Sequence, residues 1–170
     1  MIRLEKFDDY GYDRLISWVD NPESLMQFAG PAFTFPLTRE QLEKSVKDEN
    51  RHTFTVVDSF GNKAIGHAEI YLTWDCAYLG RILIGEHRLR GKGIGRQIVF
   101  LLLDYAFTEL NRSKVQLNVF DWNLPAITCY KNAGFDIIPG KTAERIVNGK
   151  TWTVLSMAIE REKWKGLQPR

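Results

Sequence analysis

Arg88-Leu89-Arg90-Gly91-Lys92-Gly93-Ile94-Gly95-Arg96 is the stretch from which the fold of this chain can be read. An apolar run, Leu79 to Ile84, leads into it, and Ile94, Ile98, Leu101, Leu102 and Tyr105 leave it at helical spacing. The local order is strand, glycine loop, helix. Such a turn aims successive backbone N–H groups and the positive end of a helix dipole at one point, which suits a phosphate. Arg88, Arg90, Lys92 and Arg96 surround that point with positive charge. Side chains at the three glycines would fill the space or penalise a backbone that needs positive φ. A Walker loop requires Lys and then Ser or Thr after its last glycine, whereas Arg96 and Gln97 follow Gly95. A dinucleotide fingerprint requires Gly-x-Gly-x-x-Gly, and the glycines here fall on alternate positions instead. By itself the loop also fits a solvated basic turn, so the rest of the chain decides.

At 170 residues the chain is expected to form one domain, residues 1–170, with a substantial core. Its 23 basic and 21 acidic residues leave a net charge of +2, so no global basic field argues for nucleic acid. Cys76 and Cys129 make neither a metal spacing nor a disulfide framework, which points to a reducing setting. Met1 to Phe7 contains no secretory apolar core, and nowhere do 18 apolar residues run together. A cytoplasmic protein with no membrane association and no metal is the expectation.

Outward from the glycine loop, both directions carry clear signals. Ile2 to Phe7 alternates as a first strand, and Asp8 or Asp9 can cap a helix with Leu15, Trp18 and Val19 on one face. Asn21-Pro22 ends that helix. Phe28 to Leu37, rich in aromatics, glycine and proline, reads as a lid, a pocket wall or a satellite hydrophobic cluster. Thr38-x-x-Gln41 is a capping box opening a helix with Leu42 and Val46 inward. Thr53 to Val57 and Ala64 to Leu72 form a hairpin about Ser59-Phe60-Gly61-Asn62, and Tyr78 to Ile84 is the next strand. Beyond the loop, the helix ends near Leu110, and Lys114 to Phe120 alternates as a strand. Asn123 caps a helix that stops before Gly134. Phe135 to Ile138 is a strand, Pro139-Gly140 a turn, and Thr142 to Val147 pairs with Thr151 to Ile159 around Asn148-Gly149. Residues after Trp164 read as a loose tail. The order implies an α/β architecture: one mixed, twisted sheet covered by helices on both faces.

Two motifs now stand one strand apart: Arg90-Gly91-Lys92-Gly93-Ile94-Gly95, and Asn123 to Phe135 with Asn123, Tyr130, Gly134 and Phe135 at fixed offsets. Together they resemble the GCN5-related N-acetyltransferase superfamily, especially its ribosomal-protein N-terminal and polyamine acetyltransferase branch. The amino-terminal part, with Trp18 and the Gly30-Pro31 to Pro36-Leu37 stretch, is similar too, so the resemblance covers nearly the whole chain. It implies acetyl-coenzyme A as donor and a primary amine, on a small molecule or a peptide amino terminus, as acceptor. It also implies a sheet that splays after the strand ending at Ile84, where backbone around Leu83 and Ile84 would pair with the pantetheine arm. The loop amides of Arg90, Gly91, Lys92, Gly93, Ile94 and Gly95 would hold the pyrophosphate, with Arg88, Lys92 or Arg96 near the phosphates. Asn123 would touch the cofactor from the opposite side, and a homodimer is compatible with the family.

The chemistry of such a reaction sets what the residues must do. A thioester is already activated, so the protein must align the amine, stabilise developing negative charge and manage two protons. An alkylamine with a pKa of about 10 must lose a proton before attack at neutral pH. Tyr130 is the family's candidate for the donor to the departing thiolate. Leu79 to Ile84 carries no carboxylate, which leaves His67 and Glu69 on the preceding strand, sharing a face at i,i+2 spacing. Glu69 could take the proton directly or through water, or could be spent in a salt bridge, for example to Arg81. Asp75 and Asp121, at strand ends, could select a cationic acceptor. The missing carboxylate also leaves room for a non-catalytic acyl-coenzyme A-binding protein.

Overall fold

A computed structural model describes residues 1–168 of the chain. The period-two segments pair into a single seven-stranded sheet of order β1-β2-β3-β4-β5-β7-β6. These strands are β1 (Ile2–Lys6), β2 (Arg51–Asp58), β3 (Lys63–Leu72), β4 (Ala77–Ile84), β5 (Lys114–Phe120), β6 (Asp136–Val147) and β7 (Lys150–Glu160). All neighbours are antiparallel except β4 and β5, which run parallel and are joined by the glycine loop and the long helix behind it.

Helices cover the two faces. On one face, α1 (Gly11–Trp18), α2 (Pro22–Ala29) and α3 (Arg39–Val46) bury Phe7, Tyr12, Leu15, Leu25, Phe28 and Leu42. On the other, α4 (Ile94–Asp104) and α5 (Leu124–Asn132) pack Ile98, Leu102, Leu103 and Ile127 against Val56, Ala68, Ile70 and Leu117. Strand alternation sorts the side chains: Ala68 and Ile70 face α4, while His67 faces Phe7 and Phe28 beneath the first three helices. The expected caps form, with Thr38 Oγ1 accepting from the Gln41 N–H at 3.3 Å and Asn123 Oδ1 from the Ala126 N–H at 3.4 Å.

Three expectations are corrected and one is refined. The first helix starts at Gly11 and has no side-chain cap, because Asp8 Oδ1 accepts from the Tyr10 N–H instead; a Cβ at Gly11 would lie 2.4 Å from the Phe7 ring. The helix after the glycine loop ends near Leu110 as expected, its last turn, Tyr105–Glu109, being a π-turn that follows α4 directly. Pro139-Gly140 does not end a strand: β6 passes through it, with the pairing register shifting between Ile137 and Thr142. The chain does not turn loose directly after Trp164, which is 7% exposed within α6 (Arg161–Leu167); the expectation for residues 169–170 lies outside the described residues. No helix among the described residues is long and apolar enough to cross a membrane.

Candidate active site

Pairing between β4 and β5 runs from Ala77↔Val115 to Leu79↔Leu117 and stops there, although β4 continues to Ile84 and β5 to Phe120. The β5-facing edge of Gly80 to Ile84 is therefore open, as a splayed sheet requires. The cause lies on the other edge of β4. Glu69 pairs with Gly80 and His67 with Leu83, so Arg81 and Ile82 together oppose the single residue Ala68. This is a β-bulge, which bends the strand and increases its twist. Arg81 sits in it with φ +49°, a left-handed conformation unfavourable to a residue with a side chain.

What holds Arg81 there is a buried ionic cluster. Its guanidinium donates to Glu69 Oε2 at 3.1 Å and to Ser45 Oγ on α3 at 2.7 Å, and lies 4.3 Å from the Phe33 ring centroid. Arg51 Nη1 donates to the same Glu69 oxygen at 2.7 Å, and His67 Nε2 lies 2.9 Å from Oε1. Glu69 and His67 are each 2% exposed. Burial pushes the Glu69 carboxyl up, but the hydrogen bond and charge of His67 and the charges of Arg81 and Arg51 outweigh it and bring the pKa to about 2. Glu69 is thus a saturated ion-pair hub, and a carboxylate held there is a weak proton acceptor. Phe28 to Leu37 is accounted for by the same layer: Phe28 and Leu37 are buried, Phe33 lies over Arg81, and Phe35 faces outward.

The glycine loop stands at the end of β4. Gly91 and Gly93 take φ of +73° and +78°, and a Cβ at either would meet nothing within 4 Å. Their requirement is backbone conformation, not space inside the protein. Gly93 is the N-cap of α4 and offers no side-chain acceptor, unlike the caps of α2, α3 and α5. The N–H groups of Ile94, Gly95 and Arg96 consequently have no protein partner among the described residues and point out of the helix end. Gly95 has a different role. A Cβ there would lie 3.9 Å from both Cys129 Sγ on α5 and Ile84 Cδ1 on β4, so the loop, α5 and the open edge of β4 meet around it.

The four cations of the loop divide. Arg88 Nε donates to Glu86 Oε2 at 2.5 Å, and Lys63 holds the other Glu86 oxygen. Arg90 turns inward to the strand, its Nη2 and Nε donating to the Ile84 carbonyl at 3.0 and 3.2 Å. Lys92 is exposed, and Arg96 lies over the Phe100 ring at 5.3 Å; neither has a carboxylate partner among the described residues.

Tyr130 projects from α5, its ring 6.0 Å from Phe135 and packed against the main core. Burial, with a smaller contribution from the neighbouring Cys129 thiol, pushes its phenol well above the ordinary range, so it stays protonated through any working pH. Its hydroxyl has no protein partner among the described residues. Asp75 lies at the start of β4, the far end from this site, and accepts from Thr73 Oγ1 at 2.8 Å. Asp121 is exposed in the turn after β5.

Two contacts were not readable from the sequence. A Cβ at Gly66 would stand 2.5 Å from the Leu83 carbonyl oxygen, so glycine is what lets β4 approach at the bulge. A Cβ at Gly85 would stand 2.1 Å from the Trp18 indole, which covers the residue just past β4. Glycine directly after an apolar strand was the available signal for the second.

Comparison with known proteins supports the same reading. Residues 12–135 match the model of the Acetyltransferase (GNAT) family. Spermidine N(1)-acetyltransferase of Vibrio cholerae is 30% identical over 159 residues, covering 89% of this chain and 88% of that protein. Its Escherichia coli counterpart is 30% identical over 150 residues, covering 86% and 79%. The crystal structure of the Vibrio cholerae spermidine N-acetyltransferase in complex with CoA and spermine superposes with a TM-score of 0.80 at 27% identity, over 96% of this chain and 98% of that one. The chain belongs to the acetyltransferase (GNAT) family, and its reaction is acetyl-coenzyme A-dependent N-acetylation of an amine.

Proposed function

We propose that the open edge of β4 from Gly80 to Ile84 receives the pantetheine arm, and that the free N–H groups of Ile94, Gly95 and Arg96 hold the pyrophosphate. Lys92 and Arg96 supply mobile positive charge there, while Arg88 and Arg90 brace the loop through Glu86 and the Ile84 carbonyl. Asn123 fixes the start of α5, which carries Tyr130 toward the same end of the sheet. Bound acetyl-coenzyme A supplies an activated acyl carbon and a good leaving thiolate. The acceptor is a primary amine, on a small molecule or a peptide amino terminus. Its nitrogen forms the C–N bond as the C–S bond breaks, one proton leaving the ammonium and one ending on sulfur. Nitrogen sheds a second proton as the amide forms; Tyr130, kept protonated by burial, gives its own proton to the sulfur and is restored by that second one.

Glu69 acts as a positioning residue: with both oxygens occupied and a pKa of about 2, it holds Arg81 in the bulge and leaves the amine proton to depart through solvent. A cytoplasmic setting belongs to the same reading, as does a homodimer through the terminal hairpin, where Ile146 is 68% exposed. The observation that carries the proposal is the meeting around Gly95 of an unpaired strand edge, an uncapped helix start and α5, the helix that bears Tyr130. The test is thiol release from acetyl-coenzyme A across an amine and dipeptide panel, beside calorimetry for coenzyme A. Turnover that falls in Tyr130→Phe with affinity intact supports the roles. Unchanged coenzyme A affinity after Gly93→Ala overturns the pyrophosphate assignment.

A further inference from the structure

Arg90 is the loop cation whose side chain reaches back to the sheet, and the direction of the carbonyl it holds gives that contact a meaning. Backbone directions at the end of β4 follow from its paired side. The Gly85 N–H donates to the Ile65 carbonyl at 2.9 Å, toward β3. Across a trans peptide the C=O points opposite to the N–H, so the Ile84 carbonyl points to the open edge. The Leu83 carbonyl stands against Gly66 of β3, where a Cβ would lie 2.5 Å from its oxygen. By the same rule the Ile84 N–H also points to the open edge. Ile84 therefore presents a donor and an acceptor together, the pair that a neighbouring strand engages, at a level where β5 no longer pairs with β4.

The acceptor of that pair is taken by Arg90, whose Nη2 and Nε donate to it at 3.0 and 3.2 Å. A single neutral carbonyl is a weak counterpart for a guanidinium, which bonds charged oxygens more strongly. The nearest carboxylate in sequence, Glu86, is shared by Arg88 and Lys63. Arg90 is exposed, so its side chain can turn without unpacking the core. The outward N–H groups at the start of α4 adjoin Ile84 through Gly95, where a Cβ would lie 3.9 Å from Ile84 Cδ1. The place where the loop receives an anion and the carbonyl that Arg90 holds are thus neighbours.

From this arrangement, and resting on the acetyl-transfer reading above, we infer that Arg90 exchanges between two acceptors and thereby selects a phosphorylated donor. The pantetheine arm carries two amides, and along β4 Ile84 takes a carbonyl on its N–H and an amide N–H on its carbonyl. That second bond requires Arg90 to leave, since an arm N–H buried without an acceptor is unfavourable. Arg90 turns to the pyrophosphate, whose charged oxygens more than replace the carbonyl it gives up. A donor without phosphates must displace Arg90 with nothing in return. The residue is therefore a specificity determinant that favours coenzyme A thioesters over shorter pantetheine thioesters.

The test is Arg90→Met, which keeps an apolar stem and removes every donor. Calorimetry gives the Kd of coenzyme A, and competition against coenzyme A in the same instrument gives that of pantetheine. Pantetheine is expected to bind about fivefold more tightly to the variant, because the Ile84 carbonyl is no longer occupied. Coenzyme A is expected to bind about tenfold more weakly, because a guanidinium–phosphate bond is lost. The selectivity between the two ligands then falls by about fiftyfold, and kcat/KM for acetyl-coenzyme A against acetyl-pantetheine moves the same way. Opposite signs for the two ligands are what a purely structural brace would not produce. Weakening of both by a similar factor, or a pantetheine affinity that does not rise, would overturn the exchange. Unchanged affinity for coenzyme A would overturn the phosphate contact. Absence of coenzyme A binding to the parent protein would instead strike the acetyl-transfer reading, and the parent titration separates that outcome from the others.

Discussion

Glu69→Gln changes one buried charge and almost nothing of the shape, which makes it a clean probe of the cluster at the bulge. In the folded protein the carboxyl pKa is lowered from 4.5 to about 2, a difference worth roughly 3 kcal/mol of stability. Because the folded pKa is the lower one, that stability is fully present above pH 4.5 and is lost as the pH falls toward 2. The substitution also leaves Arg51 and Arg81 partly buried without their counter-ion, a loss on the order of 3 kcal/mol or more. Urea unfolding of both proteins at pH 7, repeated at intervals down to pH 2.5, reads the two effects together. At pH 7 the variant is expected to be less stable by about 3 kcal/mol. Between pH 4.5 and 2 the gap between the two proteins is expected to close, since protonated Glu69 resembles glutamine. The comparison isolates this residue from all other carboxylates, which titrate equally in both. A variant within about 0.5 kcal/mol of the parent at pH 7, or a gap that stays constant down to pH 2.5, would refute the account of Glu69 as a charged hub.

Other perturbations test other parts of the site. Tyr130→Phe is expected to lower kcat by about a hundredfold with coenzyme A affinity unchanged, measured by thiol release and calorimetry. The raised Tyr130 pKa also predicts that the parent shows no loss of rate from ionisation of this phenol as the pH rises through 10, the point at which an ordinary tyrosine would ionise. A pH–rate profile of parent and Phe variant over that range checks it. Gly93→Ala puts a side chain at φ +78° with no steric clash, so it is expected to cost about 1–2 kcal/mol of stability and to weaken coenzyme A binding by misdirecting the α4 amides. Gly85→Ala drives a methyl into the Trp18 indole and is expected to cost about 1–3 kcal/mol, recovered in part by pairing it with Trp18→Leu. Thermal unfolding of the single and double variants reads that coupling.

The strands and caps set by short-range chemistry were legible in the sequence. Alternation placed β5 at Lys114 to Phe120, Asn148-Gly149 marked the last hairpin, and Thr38 and Asn123 marked two helix starts. Three features escaped because their causes are tertiary. Pro139-Gly140 has the composition of a turn, yet β6 absorbs it as a register shift because Ile137 and Thr142 both stay paired with β7. The π-turn after Asp104 continues an apolar helical pattern and leaves no mark on it. Arg90 sits inside a phosphate-loop pattern, but its guanidinium is used on the Ile84 carbonyl six residues back. The motif gave its position without its side chain's task. Glu69 and His67 were placed on one face by spacing, whereas Arg51, which shares Glu69 with Arg81, comes from a different strand and could not be paired with it from spacing alone.

The position of charge in this fold follows from the open sheet edge. An acetyl-transfer site on a sheet needs a strand that stops pairing while remaining fixed in space, and an unpaired edge supplies no ladder to fix it. Here β4 is held from its paired side and from above. Gly66 lets the Leu83 carbonyl approach β3, Trp18 lies over Gly85, and Arg90 occupies the Ile84 carbonyl. The left-handed Arg81 is clamped through Glu69 to β2 and β3, and through Ser45 to α3. Burying two guanidiniums and a carboxylate for this purpose is an inefficient way to gain stability, since apolar residues of similar volume often serve as well or better. What apolar packing would not provide is direction: three fixed hydrogen-bond geometries converge on one carboxylate and hold the bulge where β4 leaves β5. The cost in desolvation is the counterpart of a strand edge held open.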